Sequence, residues 1–121
     1  MKALITLAVA MTLLSCAQAA TMVQLNEKAP VDEFTVNGGY ICLYNAGADF
    51  LSQYHAILFE APFMFNRDDL VKEGYFRQPH TIIRIKHISD NESLITRATV
   101  MHTDNMIAHQ VLRFLRENPC K

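Results

Sequence analysis

The chain contains no tryptophan, only four glycines and four prolines, and three cysteines. Low-complexity runs and internal repeats are absent. That combination excludes a collagenous, linker-like or disordered chain and leaves a globular one. Beyond the first residues no apolar run approaches the about 20 residues needed to cross a bilayer core, so no transmembrane helix is predicted for the mature chain. The formal net charge of −1 lacks the basic excess of a nucleic-acid binder, which excludes nucleic acid as the expected partner. No C-x-x-C occurs, which removes a thioredoxin-type redox site. G-x-S-x-G, S-x-x-K, a glycine-rich phosphate loop and an EF-hand are also missing. The expectation is a protein with no catalytic residues and no cofactor.

What is present begins at the N-terminus. Met1-Lys2 precede an apolar run over residues 3–14, and Ser15-Cys16-Ala17-Gln18-Ala19-Ala20 follow. One positive charge, an apolar core and a small-residue end form a secretory signal peptide, assigned to residues 1–19. Ala17-Gln18-Ala19 is an A-x-A cleavage site that would leave Ala20 as the new N-terminus. Leu13-Leu14-Ser15-Cys16 also reads as a bacterial lipobox, in which Cys16 would be lipidated and become the first residue. Both cuts stay open. The expected location is periplasmic or extracellular, with membrane attachment only through a lipid on Cys16.

Either cut leaves Cys42 and Cys120 as the thiols of the mature domain. In an oxidising compartment an even pair reads as a disulfide. Closing a loop of roughly 80 residues contributes roughly 4 kcal/mol on a chain-entropy estimate. That is a large share of the 5–15 kcal/mol, roughly, that keeps a small domain folded.

Charge is unevenly placed. Residues 20–73 carry eight acidic and three basic side chains, whereas residues 74–121 carry seven basic and four acidic ones. The split suggests opposed faces, or two segments that attract each other in the fold.

Residues 20–36 read as a flexible polar lead-in, with a short edge strand over residues 31–36. Asn37-Gly38-Gly39 is a turn signal. Residues 40–44 are apolar and β-rich and suggest a buried strand, with a helix start as the alternative. Asp49 can cap a helix over residues 49–60, whose stripe is Phe50, Leu51, Tyr54, Ile57 and Leu58 and which Pro62 stops. A strand over residues 56–59 competes with it. Phe63-Met64-Phe65 forms an apolar plug. A helical turn or two from Asn66 or Arg67 to Glu73 would be closed by Gly74.

Residues 81–88 and 94–101 alternate on either side of turn chemistry at residues 89–93, which predicts a β-hairpin. Thr103 or Asp104 then caps a last helix with the stripe Ile107, Val111, Phe114 and Leu115. Arg113 and Arg116 suit its C-terminus, and Asn118-Pro119 end it. The expected fold is α+β: a small antiparallel sheet with a central β-hairpin, packed on one face by two helices and holding one disulfide. Residues 37–121 form the single domain.

Five histidines invite a metal site. His80 and His102 flank the hairpin. For Ile83 and Ile85 to share a face with Leu94, Ala98 and Val100, however, paired residue numbers must sum to an odd value. That register sets the two histidines on opposite faces, and no metal site is expected. His55 and His109 lack H-x-x-x-H partners, and Ser52 with His55 is a bare Ser/His pair. Asp68-Asp69 suit an exposed helix start. In the odd register the outer hairpin face carries Ile82, Arg84, Lys86 and Ile88 beside Ile95, Arg97, Thr99 and Met101. Ile82, Arg84, Lys86, Arg97 and Met101 are its candidate contacts. A basic-apolar face suits an acidic protein partner. The expected function is that of a small, exported, non-enzymatic protein-binding domain, such as an inhibitor or immunity factor. The alternatives are an accessory or pilot lipoprotein of a secretion, pilus or conjugation machine, and a small hydrolase.

Overall fold

A computed structural model describes residues 22–54, 63–100 and 106–121. The signal segment with Cys16, the half of the expected middle helix beyond Tyr54, the competing strand over residues 56–59, Pro62, Met101, His55, His102 and the caps Thr103 and Asp104 lie outside them. Among the described residues no helix is long and apolar enough to cross a membrane.

The elements run α1 (Met22–Glu27), β1 (Asp32–Val36), α2 (Tyr40–Tyr54), β2 (Met64–Asp68), β3 (Glu73–Gln78), β4 (Thr81–Ser89), β5 (Glu92–Thr99) and α3 (Met106–Arg116). The five strands form one antiparallel sheet in the order β1-β5-β4-β3-β2. α2 and α3 cover one face, and their inner side chains Leu43, Leu51, Ile107, Val111 and Leu115 meet Phe76, Ile83, Ile85 and Ile95 of the sheet. The α+β architecture and the Cys42–Cys120 disulfide are as expected, and the disulfide spans a sequence separation of 78 residues.

α3 follows its stripe. Ile107, Val111 and Leu115 are buried, while Phe114 stacks on Phe50 of α2 at 4.6 Å between ring centroids. Arg116 lies 4.4 Å from the centroid of the Phe34 ring, which ties the end of α3 to β1.

Residues 40–44 are not a strand but the first turns of α2. Tyr40, Leu43, Gly47 and Leu51 recur at helical spacing and all face the core. The stripe includes Gly47, which adds no apolar side chain to the pattern. Glycine is needed here because a Cβ would lie 2.8 Å from Cε2 and Cζ of Phe76, so the helix backbone rests directly on that ring.

The expected helical turns over residues 66–73 are a β-hairpin instead. Asp68 Oδ1 accepts from the Leu70 N–H at 2.9 Å, and Lys72 adopts φ 54°, which is turn chemistry. Gly74 does not cap a helix. It lies under the Tyr44 ring.

The lead-in is also ordered. α1 lies on the sheet face opposite α2 and α3, where Leu25 is fully buried against Ile82 and Ala98. β1 is the expected edge strand and pairs with β5.

The central hairpin forms over the expected residues, but its register has the other parity. Ser89 faces Glu92 next to the turn, which is an odd sum. Between His87 and Ser89 the register shifts by one residue, leaving Ile88 extra. From there His87 faces Ser93, Ile85 faces Ile95 and Ile83 faces Arg97, all even sums. A bulge of one residue turns every side chain of one strand over relative to its partner. Ile95 therefore enters the helix-covered core, and Leu94, Ala98 and Val100 go to the α1 side.

Candidate functional site

The β1–α2 turn places a short helix start above the end of the sheet. Gly38 N–H donates to the Val36 carbonyl, and Ser93 Oγ donates to the Gly38 carbonyl at 2.7 Å. The Gly39 carbonyl accepts the first helical bond, from Leu43 N–H at 3.1 Å, so Gly39 is the N-cap. It has no side chain to cap the following N–H groups. A Cβ at Gly39 would stand 3.0 Å from the Asp90 carbonyl oxygen, so the helix start and the β4–β5 turn nearly touch.

A cleft of about 330 Å³ opens beside this helix start. Gly39, Tyr40, Ile41 and Cys42 make one wall, and Lys72, His87 and Asp90 make the other. The walls are linked underneath. Tyr40 Oη donates to Asp69 Oδ1 at 2.8 Å, and the Tyr40 ring meets His87 edge-on at 5.8 Å. The His87 N–H donates to the Lys72 carbonyl at 3.0 Å, which holds the β2–β3 turn against β4. Burial pushes the Tyr40 phenol above its ordinary value, and the hydrogen bond to the Asp69 carboxylate adds to that rise. Burial also raises Tyr44, partly offset by the Arg67 guanidinium over its ring.

The cleft mixes a positive helix end, an ammonium, an imidazole and a carboxylate. The Tyr40 hydroxyl is committed to Asp69. Next to it stands the β2–β3 turn, with Leu70 95% and Val71 62% exposed, and Ile41 is exposed on the facing wall. Further along the same hairpin, Met64 (65%) and Phe65 (43%) are exposed on β2, the strand at the end of the sheet order. Arg67 and Asp69, ion-paired at 3.1 Å, lie between the two apolar pairs.

The expected hairpin face does not assemble. Ile82 is buried beneath Leu25, and Arg84 pairs with Glu73 at 2.9 Å and with Asn26 of α1. Ile95 and Arg97 point to the opposite face, because the bulge reverses the register. There Ile95 is core, and Arg97 pairs with Asp32 at 2.8 Å. Lys86 remains exposed, and Met101 lies outside the described residues.

The parity used to separate His80 from His102 does not hold either. The His80 carbonyl accepts from Val100 N–H, as the even register requires, and His102 lies outside the described residues. His109 is exposed on α3. Ser52 Oγ donates back to the Ala48 carbonyl of its own helix at 2.8 Å. Asp68 and Asp69 serve the β2–β3 turn rather than a helix start. Among the described residues no three His, Cys, Asp or Glu side chains gather as a metal site needs.

Sequence reasoning missed Tyr40, Lys72, His87, Asp90, Leu70 and Val71. They come from four separate segments, and no local spacing links them. The nearest signal was the apolar Leu70-Val71 pair inside a charged stretch. No protein-family model matches this chain, and no curated protein or solved structure matches it significantly.

Proposed function

We propose that the chain is a small, exported, non-enzymatic protein-binding domain, of the kind represented by inhibitors and immunity factors. Its contact surface is the β2–β3 turn with the adjoining cleft. The observation that carries this reading is the near-complete exposure of Leu70, with Val71 beside it, in a turn held by its own hydrogen bonds. Burying a Leu or Val side chain in a partner contributes about 1.5–3 kcal/mol each. A rigid apolar tip beside a polar cleft also suits a central anchor with a polar rim. The acidity expected of the partner is not retained in the reading, because Arg84 and Arg97 are paired within the domain.

Photo-crosslinking from a probe at position 70, in envelope extract, tests the surface. The expected result is one discrete adduct, with the captured protein bound at least tenfold more weakly by a Leu70→Ser/Val71→Ser variant. Equal binding by that variant, with Lys86→Glu more damaging, would return the interface to the hairpin. Cleavage after Ala19 would give Ala20 at the mature N-terminus. A diacylglycerol-bearing Cys16 there would favour the accessory or pilot lipoprotein instead, and mass spectrometry separates the two. A small hydrolase would be supported by turnover of an ester, peptide or glycoside substrate that His55→Ala or His109→Ala abolishes.

A further inference from the structure

The disulfide occupies an unusual place for an inert staple. Cys42 is the third residue of α2, is exposed, and lines the cleft. Cys120 is half-buried and packs against the core. Disulfides open to solvent are the ones that exchange, whereas buried structural ones resist reduction. A sulfur in the first turn of a helix is stabilised as a thiolate by the helix dipole and by neighbouring cations. The groups sharing the cleft with Cys42 are Lys72 from the β2–β3 turn, His87 from β4, Asp90 from the β4–β5 turn, and Tyr40 from α2 itself. The Lys72 ammonium favours the thiolate and the Asp90 carboxylate opposes it. His87 favours it only when protonated, and Tyr40 is neutral.

What the bond holds is also held by other means. α3 keeps Ile107, Val111 and Leu115 in the core without it. The β1–α2 turn keeps its Ser93–Gly38 bond, and Asn118 Nδ2 donates to the Asn37 carbonyl at 3.0 Å. Cutting the S–S bond therefore leaves these contacts in place and removes the tether of Cys120, which packs against the core.

We propose that the Cys42–Cys120 disulfide is an exchangeable latch, opened by a dithiol reductant that attacks Cys120 and expels Cys42 as the thiolate. The reductant thiolate forms a new S–S bond to Cys120 Sγ while the Cys42–Cys120 bond breaks, and its electron pair leaves on Cys42. The second thiol of the reductant then attacks its own sulfur in the mixed disulfide and releases Cys120, which takes up a proton. Two electrons pass from the dithiol to the protein, and the reductant ends as a disulfide. Attack in this direction is favoured because the thiol of lower pKa is the better leaving group. Opening presents a reactive Cys42 thiolate on the cleft wall and frees Cys120, whose Cβ now lies against Gly38.

The test uses the full chain carrying Cys16→Ser, so that two thiols report. It is treated with dithiothreitol without denaturant and pulsed with iodoacetamide, and each cysteine peptide is quantified by mass spectrometry beside near-UV circular dichroism. The latch predicts reduction in the folded state and a retained near-UV spectrum. It also predicts Cys42 alkylation about twofold or more faster than Cys120 near neutral pH, the ratio that half a pKa unit gives once the weaker nucleophilicity of the more acidic thiolate is counted. In a Cys16→Ser/Cys120→Ser chain, where Cys42 is the sole thiol, its titration midpoint falls below that of an ordinary thiol. A bond that reduces only in denaturant, a near-UV spectrum lost on reduction, equal alkylation rates, or a Cys42 midpoint at or above the ordinary value each overturns the proposal.

Discussion

The ring of Tyr44 lies so close over the backbone of Gly74 that a Cβ there would overlap Tyr44 Cδ2. Tyr44 in turn stacks on Phe76, with 5.2 Å between ring centroids and 14° between planes. The glycine lets α2 approach the sheet beside the β2–β3 hairpin, and so sets one wall of the cleft.

Replacing Gly74 with alanine forces the ring to move against Phe76. Overpacking of this kind costs about 1–3 kcal/mol. The expected result is a lower urea midpoint with an unchanged slope. A Gly74→Ala chain as stable as the parent would show that Tyr44 can move aside without loss.

The register of the central hairpin separates two neighbouring residues. Ile95 is fully buried opposite Ile85, whereas Leu94 is half-buried on the α1 side. Ile95→Ala is therefore expected to cost about 2–5 kcal/mol and Leu94→Ala clearly less. The odd register would reverse that order. Equilibrium urea unfolding of the two variants decides it.

α1 is a structural part of the domain. Leu25→Ala removes its buried anchor from Ile82 and Ala98 and is expected to cost about 2 kcal/mol or more. Faster proteolytic cleavage around residues 22–30 should accompany the loss. A silent substitution would make the segment a free tail.

Tyr40 and Tyr44 give the domain an alkaline limit. Both phenols are raised in the folded state, first by burial, with the Asp69 hydrogen bond adding at Tyr40 and Arg67 opposing at Tyr44. Their neutral forms favour folding. The contribution is fully present below about 10, the ordinary tyrosine value, and is lost as pH rises through the folded-state values. Above pH 10 the unfolded chain binds fewer protons than the folded one, so stability falls with pH. Tyr40→Phe should soften this fall and lower the urea midpoint slightly near neutral pH through the lost bond to Asp69. Urea midpoints across the alkaline range, beside tyrosinate absorbance, check both.

Much of the fold was legible from short-range patterns. The stripe of α3, the existence of the β4–β5 hairpin and the β1 edge strand each follow from periodicity within a few residues. Where reading failed, a contact from elsewhere had overruled the local signal. Residues 40–44 looked like a strand, and the helix they begin rests its Gly47 backbone on Phe76, which is distant in sequence. Residues 66–73 resembled helical turns because their Asx and left-handed geometry leaves no periodic trace. The cleft was invisible because its walls come from four segments.

By itself, the sequence determined that the domain is α+β, that Cys42 and Cys120 pair, and that a hairpin and a closing helix follow the charged middle. These rest on side-chain period and cysteine count, which need no knowledge of neighbours. Only the tertiary structure decided which face of β5 is inside. Both faces of that strand carry apolar residues, so alternation could not choose between them. The choice falls to one extra residue at Ile88, to Asp32 neutralising Arg97, and to α1 covering Ala98. These are long-range pairings, and they moved the candidate contact surface from the central hairpin to Leu70, Val71 and the cleft beside the disulfide.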